Sequence, residues 1–176
     1  ILQFIDSDEN KAIDFAQNIL DQFPIIYTKK WYEMMVKKLG ISNPIEKDKV
    51  LISDLLEMME LKKADYTNTF AAITMNDYPK NSLFKSHEFE SWKNKWKERV
   101  KYNENSYSIM KESNPIYIPR NHLVESALES VINGDKEEFN KLLETMSNTY
   151  NYDVKHDNLQ SVPKDFDKSY KTYCGT

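Results

Sequence analysis

The sequence predicts an all-α protein of about seven helices, and three observations predict it. Glycine is scarce, with only Gly40, Gly134 and Gly175 in 176 residues, whereas a sheet-rich fold with tight hairpins uses more. Apolar residues recur at three- and four-residue spacing along most of the chain, the period of a helix face rather than of a strand. Lysine and glutamate supply much of the 30% of residues that are charged, and both suit helices. The hydrophobic share of 40% is that of an ordinary folded chain. A chain of this length buries roughly 70% of its unfolded surface and needs no disulfide or metal to fold.

The first helix begins after Asp6-Ser7-Asp8, because Asp6 and Glu9 have capping-box spacing and acidic groups suit a helix N-terminus. Ile13, Ala16, Leu20 and Phe23 mark its apolar face, and Pro24 ends it or opens the next helix. The second helix carries Tyr27, Trp31, Met34, Met35 and Leu39, and stops at Gly40, a left-handed cap. Ser42-Asn43-Pro44 is a turn. A third helix runs from about Asp48 to Leu61 with Leu51, Leu55, Met58 and Met59 inward. Asp65 starts a fourth through Phe70 and Ile73, and the Pro79 region is a loop.

A fifth helix, about Ser86 to Val100, places Phe89, Trp92, Trp96 and Val100 at helical spacing. The polar stretch 103–112 has room for a short helix. Asn114-Pro115-Ile116-Tyr117-Ile118-Pro119 is extended, since residues before proline avoid the helical region. From Arg120 a helix runs to Asn133 through Leu123, Ala127, Leu128 and Val131, and Gly134 closes it. Asp135, with Glu138 three residues on, caps a last helix bearing Phe139, Leu142, Leu143 and Met146. The expected organisation is a helical unit over residues 1–147 and a polar, irregular tail over 148–176.

Composition also limits function. No two glycines are close enough to form a phosphate loop or dinucleotide fingerprint. A net charge of -4 and a pI near 5.5 argue against nucleic acid as a partner. No run of 18 or more apolar residues is present to span a membrane. With Cys174 alone, no disulfide can close within the chain. The chain opens on Ile1-Leu2-Gln3-Phe4 with no initiator Met and no signal-peptide pattern, so its start reads as a cut in a longer polypeptide. His87, His122 and His156 have no ligand spacing to one another or to Cys174. The aromatics around Trp92 and Trp96 alternate with Lys93, Lys95, Lys97 and Arg99, a pattern open to membrane or nucleic-acid contact. Their single face, diluted by Glu88, Glu90 and Glu98, fits a core stripe better. The Met34-Met35 and Met58-Met59 pairs suit an adaptable groove or, more simply, core filling.

Three segments in order resemble the C-terminal region of the selenoprotein O (SelO/YdiU) pseudokinase family. They are Trp31-Tyr32-Glu33-Met34-Met35 through Gly40 with Asp65-Tyr66-Thr67-Asn68-Thr69-Phe70; Asn114 to His122 with Asn133-Gly134-Asp135; and Cys174-Gly175-Thr176. The resemblance covers nearly the whole chain. It implies a kinase-like parent that binds ATP in an inverted orientation. With Mg or Mn, that parent transfers AMP to hydroxyl side chains of protein substrates. The family's nucleotide- and metal-binding residues lie upstream, so catalytic, cofactor-binding and metal-binding residues are expected to be absent here. The expected role is to buttress the missing N-terminal catalytic part, with no nucleic-acid or membrane partner. The implied location is cytoplasmic in a bacterium and mitochondrial in a eukaryote. The alternative is an independent helical interaction module with no nucleotide chemistry.

Two places carry candidate chemistry. Cys174 matches the family's antepenultimate cysteine or selenocysteine, which implies a redox thiol that pairs with a cysteine in the missing part; the plainer reading is a solvated tail cysteine. Arg120 and Asn121 open a helix, where Arg120 could contact an anion. The more economical reading has Asn121 cap the helix and Arg120 pair with a carboxylate of the body. Asp65, Thr67 and Asn68 are read in the same way, as ligand contacts or, more simply, as a helix cap beside packed aromatics.

Overall fold

A computed structural model describes residues 4–153, 157–161 and 163. Among them are seven helices, α1 (Glu9–Lys38), α2 (Asp48–Leu61), α3 (Tyr66–Met75), α4 (His87–Val100), α5 (Ser106–Ser113), α6 (Asn121–Ile132) and α7 (Glu137–Ser147). A single further turn, α8 (Asp157–Gln160), follows, and no strand occurs among the described residues.

The local signals act mostly as expected. Asp65 caps α3 by accepting from the Asn68 amide at 2.8 Å, and Ser86 caps α4 through the Phe89 amide at 3.2 Å. Four helices end in the same turn, in which a left-handed residue lets two amides reach back to the last free carbonyls. Gly40 and Gly134 fill that position for α1 and α6, while Lys63 and Asn76, both at φ 51°, fill it for α2 and α3. Asn tolerates this conformation and Lys does so at a cost, so Asn76 was readable in advance and Lys63 was not. At Gly40 a Cβ would lie only 2.7 Å from the Ser106 carbonyl oxygen, so close approach of α5 also requires glycine.

The structure corrects the reading of α1 in three respects. Asp8, not Asp6, caps the helix, accepting from the Asn10 and Lys11 amides. Pro24 neither ends the helix nor opens another; α1 runs through it as one helix of 30 residues. Pro24 has no N–H for the Leu20 carbonyl, but this part of α1 is open to water, which can satisfy that group. Finally, the expected apolar face is not covered. Ile13, Leu20, Phe23 and Tyr27 are 45%, 63%, 64% and 58% exposed.

The main core lies beyond Pro24. Met35, Val36 and Leu39 of α1 pack with Leu51, Ile52, Leu55 and Met59 of α2, Phe70 and Ile73 of α3, and Phe89, Trp92 and Trp96 of α4. Each fully buried side chain of this kind contributes about 1.5–3 kcal/mol. Trp92 and Trp96 are buried, stacked with centroids 5.9 Å apart, and their indole N–H groups donate to the Leu51 and Leu39 carbonyls. The stripe on α4 is therefore core. Met35 and Met59 also fill this core, with Met58 packed against it, whereas Met34 is exposed. Asp48 is buried at the start of α2 and takes both Nε and Nη2 of Arg99, tying α2 to the end of α4.

The end of α1 is where the elements converge. The carbonyls of Lys38, Leu39 and Gly40 accept from Asn114 Nδ2, Trp96 Nε1 and Asn103 Nδ2 at 2.9, 2.8 and 2.6 Å. A helix leaves its last carbonyls without partners; here side chains from α4, the loop after it and the end of α5 supply them. A smaller cluster of Ile116, Tyr117 and Leu159, with Leu123, Met146 and Tyr152 against it, sits where α6, α7 and α8 meet the extended segment. The expected irregular tail thus contains one packed helical turn.

Tyr78 packs on Phe84 and Phe89 with Lys93 over its ring. Burial, aided by Glu90, pushes its phenol up to about 12, and burial does the same for Tyr152. The unfolded chain ionises near 10, so it sheds these protons first. Their contribution to stability is complete below about pH 10 and declines from there toward about pH 12. Tyr78→Phe should flatten that decline in urea unfolding measured from about pH 9 to about pH 11.5; an unchanged slope would exclude Tyr78 as a source of it.

Candidate functional site

Three of the residues singled out in the sequence, Asp65, Asn68 and Arg120, come together at the start of α3. Arg120 lies in extended backbone at the N-cap position of α6, and no side chain caps that helix, Asn121 included. The Arg120 guanidinium grips Asp65 through two bonds, Nη1 to Oδ2 at 2.9 Å and Nη2 to Oδ1 at 3.1 Å. Nη2 also donates to Asn68 Oδ1 at 3.2 Å, and Asn68 Nδ2 donates to the Gln160 carbonyl at 2.9 Å. Asp65 meanwhile holds the first turn of α3. Arg120 has only a tenth of its side chain exposed, and its Nε is buried without a partner.

Asp65 takes the guanidinium bidentately, the arrangement in which Arg–carboxylate pairs are strongest and most directional. The cluster acts as a joint: it fixes the root of α6 against the start of α3.

A second polar centre lies beside it. Asn114 is fully buried. Its Nδ2 donates to the Lys38 carbonyl and to Thr74 Oγ1, its Oδ1 accepts from Lys38 Nζ at 3.3 Å, and its own carbonyl accepts from the Tyr152 hydroxyl at 2.6 Å. Lys38 Nζ also donates to the Ser113 carbonyl and lies 5.5 and 5.3 Å from the ring centres of Tyr66 and Phe70. Burial holds its ammonium below the usual lysine range. A buried polar group costs stability unless it is bonded; here almost every hydrogen-bonding capacity of Asn114 is used. Composition alone did not expose Lys38, Thr74 or Tyr152. In the sequence Lys38 is one more charge beside Lys37, and only the fold turns it inward.

Among the described residues, no three His, Cys, Asp or Glu side chains are placed to hold a metal ion. No described helix is long and apolar enough to cross a membrane. Cys174 and His156 lie outside the described residues.

Comparison with known proteins follows the same segments. The family model of protein adenylyltransferase SelO matches residues 9–147. The chain is 41% identical over 181 aligned positions to the protein nucleotidyltransferase YdiU of Bacillus cereus strain AH820. It is 40% identical over the same length to that of Geobacillus kaustophilus. In both cases all of this chain is aligned with 37% of the relative, so it spans little more than a third of their length.

The joint should be energetically coupled. Asp65→Ala and Arg120→Ala should each cost about 3 kcal/mol, since either leaves a partly buried charge unpaired. The double variant should lose less than the sum by more than about 1 kcal/mol in urea unfolding. Additive losses would mean that the pair does not hold α6 to α3.

Proposed function

The chain belongs to the protein adenylyltransferase SelO family, and from that membership we propose that it forms the helical supporting region of an enzyme that transfers AMP from ATP to protein hydroxyl groups. In this reading the residues that hold nucleotide and Mg or Mn belong to polypeptide outside these 176 residues. The transfer joins AMP to the hydroxyl oxygen and releases pyrophosphate. No step of that transfer is assigned to the described residues.

The observation that carries the proposal is the uncovered half of α1. Phe15, Ile19, Leu20, Phe23, Ile26 and Tyr27 all project into solvent along one helix. Apolar exposure on this scale marks a surface that something covers. The matched relatives supply the occupant by class: nearly two thirds of their length lies outside the match, and we assign α1 as the docking face for that polypeptide. Beyond Pro24 the same helix enters the core, so α1 serves as a beam between the two. Commitment of Asp65, Asn68, Arg120 and Asn114 to one another supports a scaffolding role for the described part. In this reading Cys174 pairs as a disulfide with a cysteine of the docked polypeptide when an external disulfide is reduced in exchange. The bacterial relatives favour the cytoplasm.

Two outcomes follow. Isothermal calorimetry of the 176-residue chain with ATP and magnesium should show no binding, while the longer polypeptide should bind; micromolar affinity in the short chain would overturn the supporting role. Sedimentation of the short chain should show self-association at high concentration, reduced by Leu20→Glu with Phe23→Glu. A monomer at about millimolar concentration would mean that α1 is not a docking face.

A further inference from the structure

Extensive helix packing divides into two groups. Helices α1 to α5 pack among themselves, and α6 packs on α7. The α6–α7 hairpin reaches the body chiefly through chain segments. One attachment is its root, where residues 114–120 carry the Arg120–Asp65 joint. Nearby, the Ile116 amide donates to the Thr149 carbonyl at 2.8 Å.

The other attachment is α8. Leu159 is buried, in the cluster formed with Ile116, Tyr117, Leu123, Met146 and Tyr152. On the hairpin side it helps line a cavity of about 180 Å³ with Leu123, Ala127, Leu142 and Thr145. The next residue, Gln160, has its carbonyl tied to Asn68 of α3. One turn of helix therefore touches α6, α7, the extended segment and α3 together.

We propose that α8 is a clasp that fastens the α6–α7 hairpin to the helical body, with Leu159 as its seated residue and Asn68 as its catch. The hairpin is a unit able to loosen while α1 to α5 stay folded. Two features make this so. The hairpin has its own internal packing, which survives release. Beyond the joint at its root, its fastening at α8 is one apolar side chain and one amide bond, far less than the core that holds α2 to α4, and local opening follows the weakest such attachment. The groove between α6 and α7 is thus a site whose occupant is this chain's own Leu159 turn. The inference does not depend on the AMP-transfer reading.

Hydrogen exchange followed by mass spectrometry on the whole chain tests the clasp. In Leu159→Asp, amides of α6 and α7 should exchange at least about tenfold faster, with α2 and α4 unchanged. Leu159→Ala should give the same pattern with a smaller increase. A synthetic peptide spanning residues 151–163, added to Leu159→Asp, should slow exchange in α6 and α7 again. Unchanged hairpin exchange, equal loosening of α2 and α4, or no recovery with peptide would each overturn the proposal.

Discussion

Three carbonyls at the end of α1 organise this molecule. Once the helix stops, Lys38, Leu39 and Gly40 present oxygens that no helical amide can reach. Each is taken by a side chain from a different place in the chain: Asn114, Trp96 and Asn103. Because all three acceptors lie within three residues, they fix α4, the loop after it and the end of α5 relative to one helix end. Gly40 makes this convergence sterically feasible, since its left-handed turn leaves room for the Ser106 backbone. Unsatisfied, such buried groups would each cost about 1–3 kcal/mol, so the arrangement is demanding as well as stabilising.

From that point the polar network spreads outward. Asn114 links the end of α1 to Thr74 of α3 and, through its carbonyl, to Tyr152. Asp65, Asn68 and Arg120 repeat the pattern one step away, joining the start of α3 to the root of α6 and to α8. The first two segments that resemble the selenoprotein O family thus contain side chains that bond one another. Their chemistry is that of alignment. A bidentate Arg–Asp pair and a fully bonded buried Asn set orientation more sharply than apolar contacts can, because hydrogen bonds are directional.

Helix boundaries governed by local capping were legible. Asp65, Ser86 and Gly40 act on amides and carbonyls only a few residues away, so the starts of α3 and α4 and the end of α1 fall where the sequence places them. Pro24 misled because local sequence shows only its cost, a missing N–H and a ring that crowds the Leu20 carbonyl, whereas α1 continues through it. The joint was partly legible. An acidic residue at a cap and an arginine after Pro119 were visible as types, but their pairing across 55 positions was not.

The sequence alone determined the all-α class and most helix ends, because apolar period and capping residues act over a few neighbours, and the resemblance of its ordered segments pointed to the family. Only the tertiary structure decided which apolar faces are covered, that Arg120 meets Asp65, that Lys38 turns inward against two aromatic rings, and that a tail leucine seats beneath α6 and α7. Those outcomes depend on which distant surfaces meet. Local periodicity states that a helix has a face to bury and leaves open what buries it, and half of α1 retains such a face uncovered in this chain.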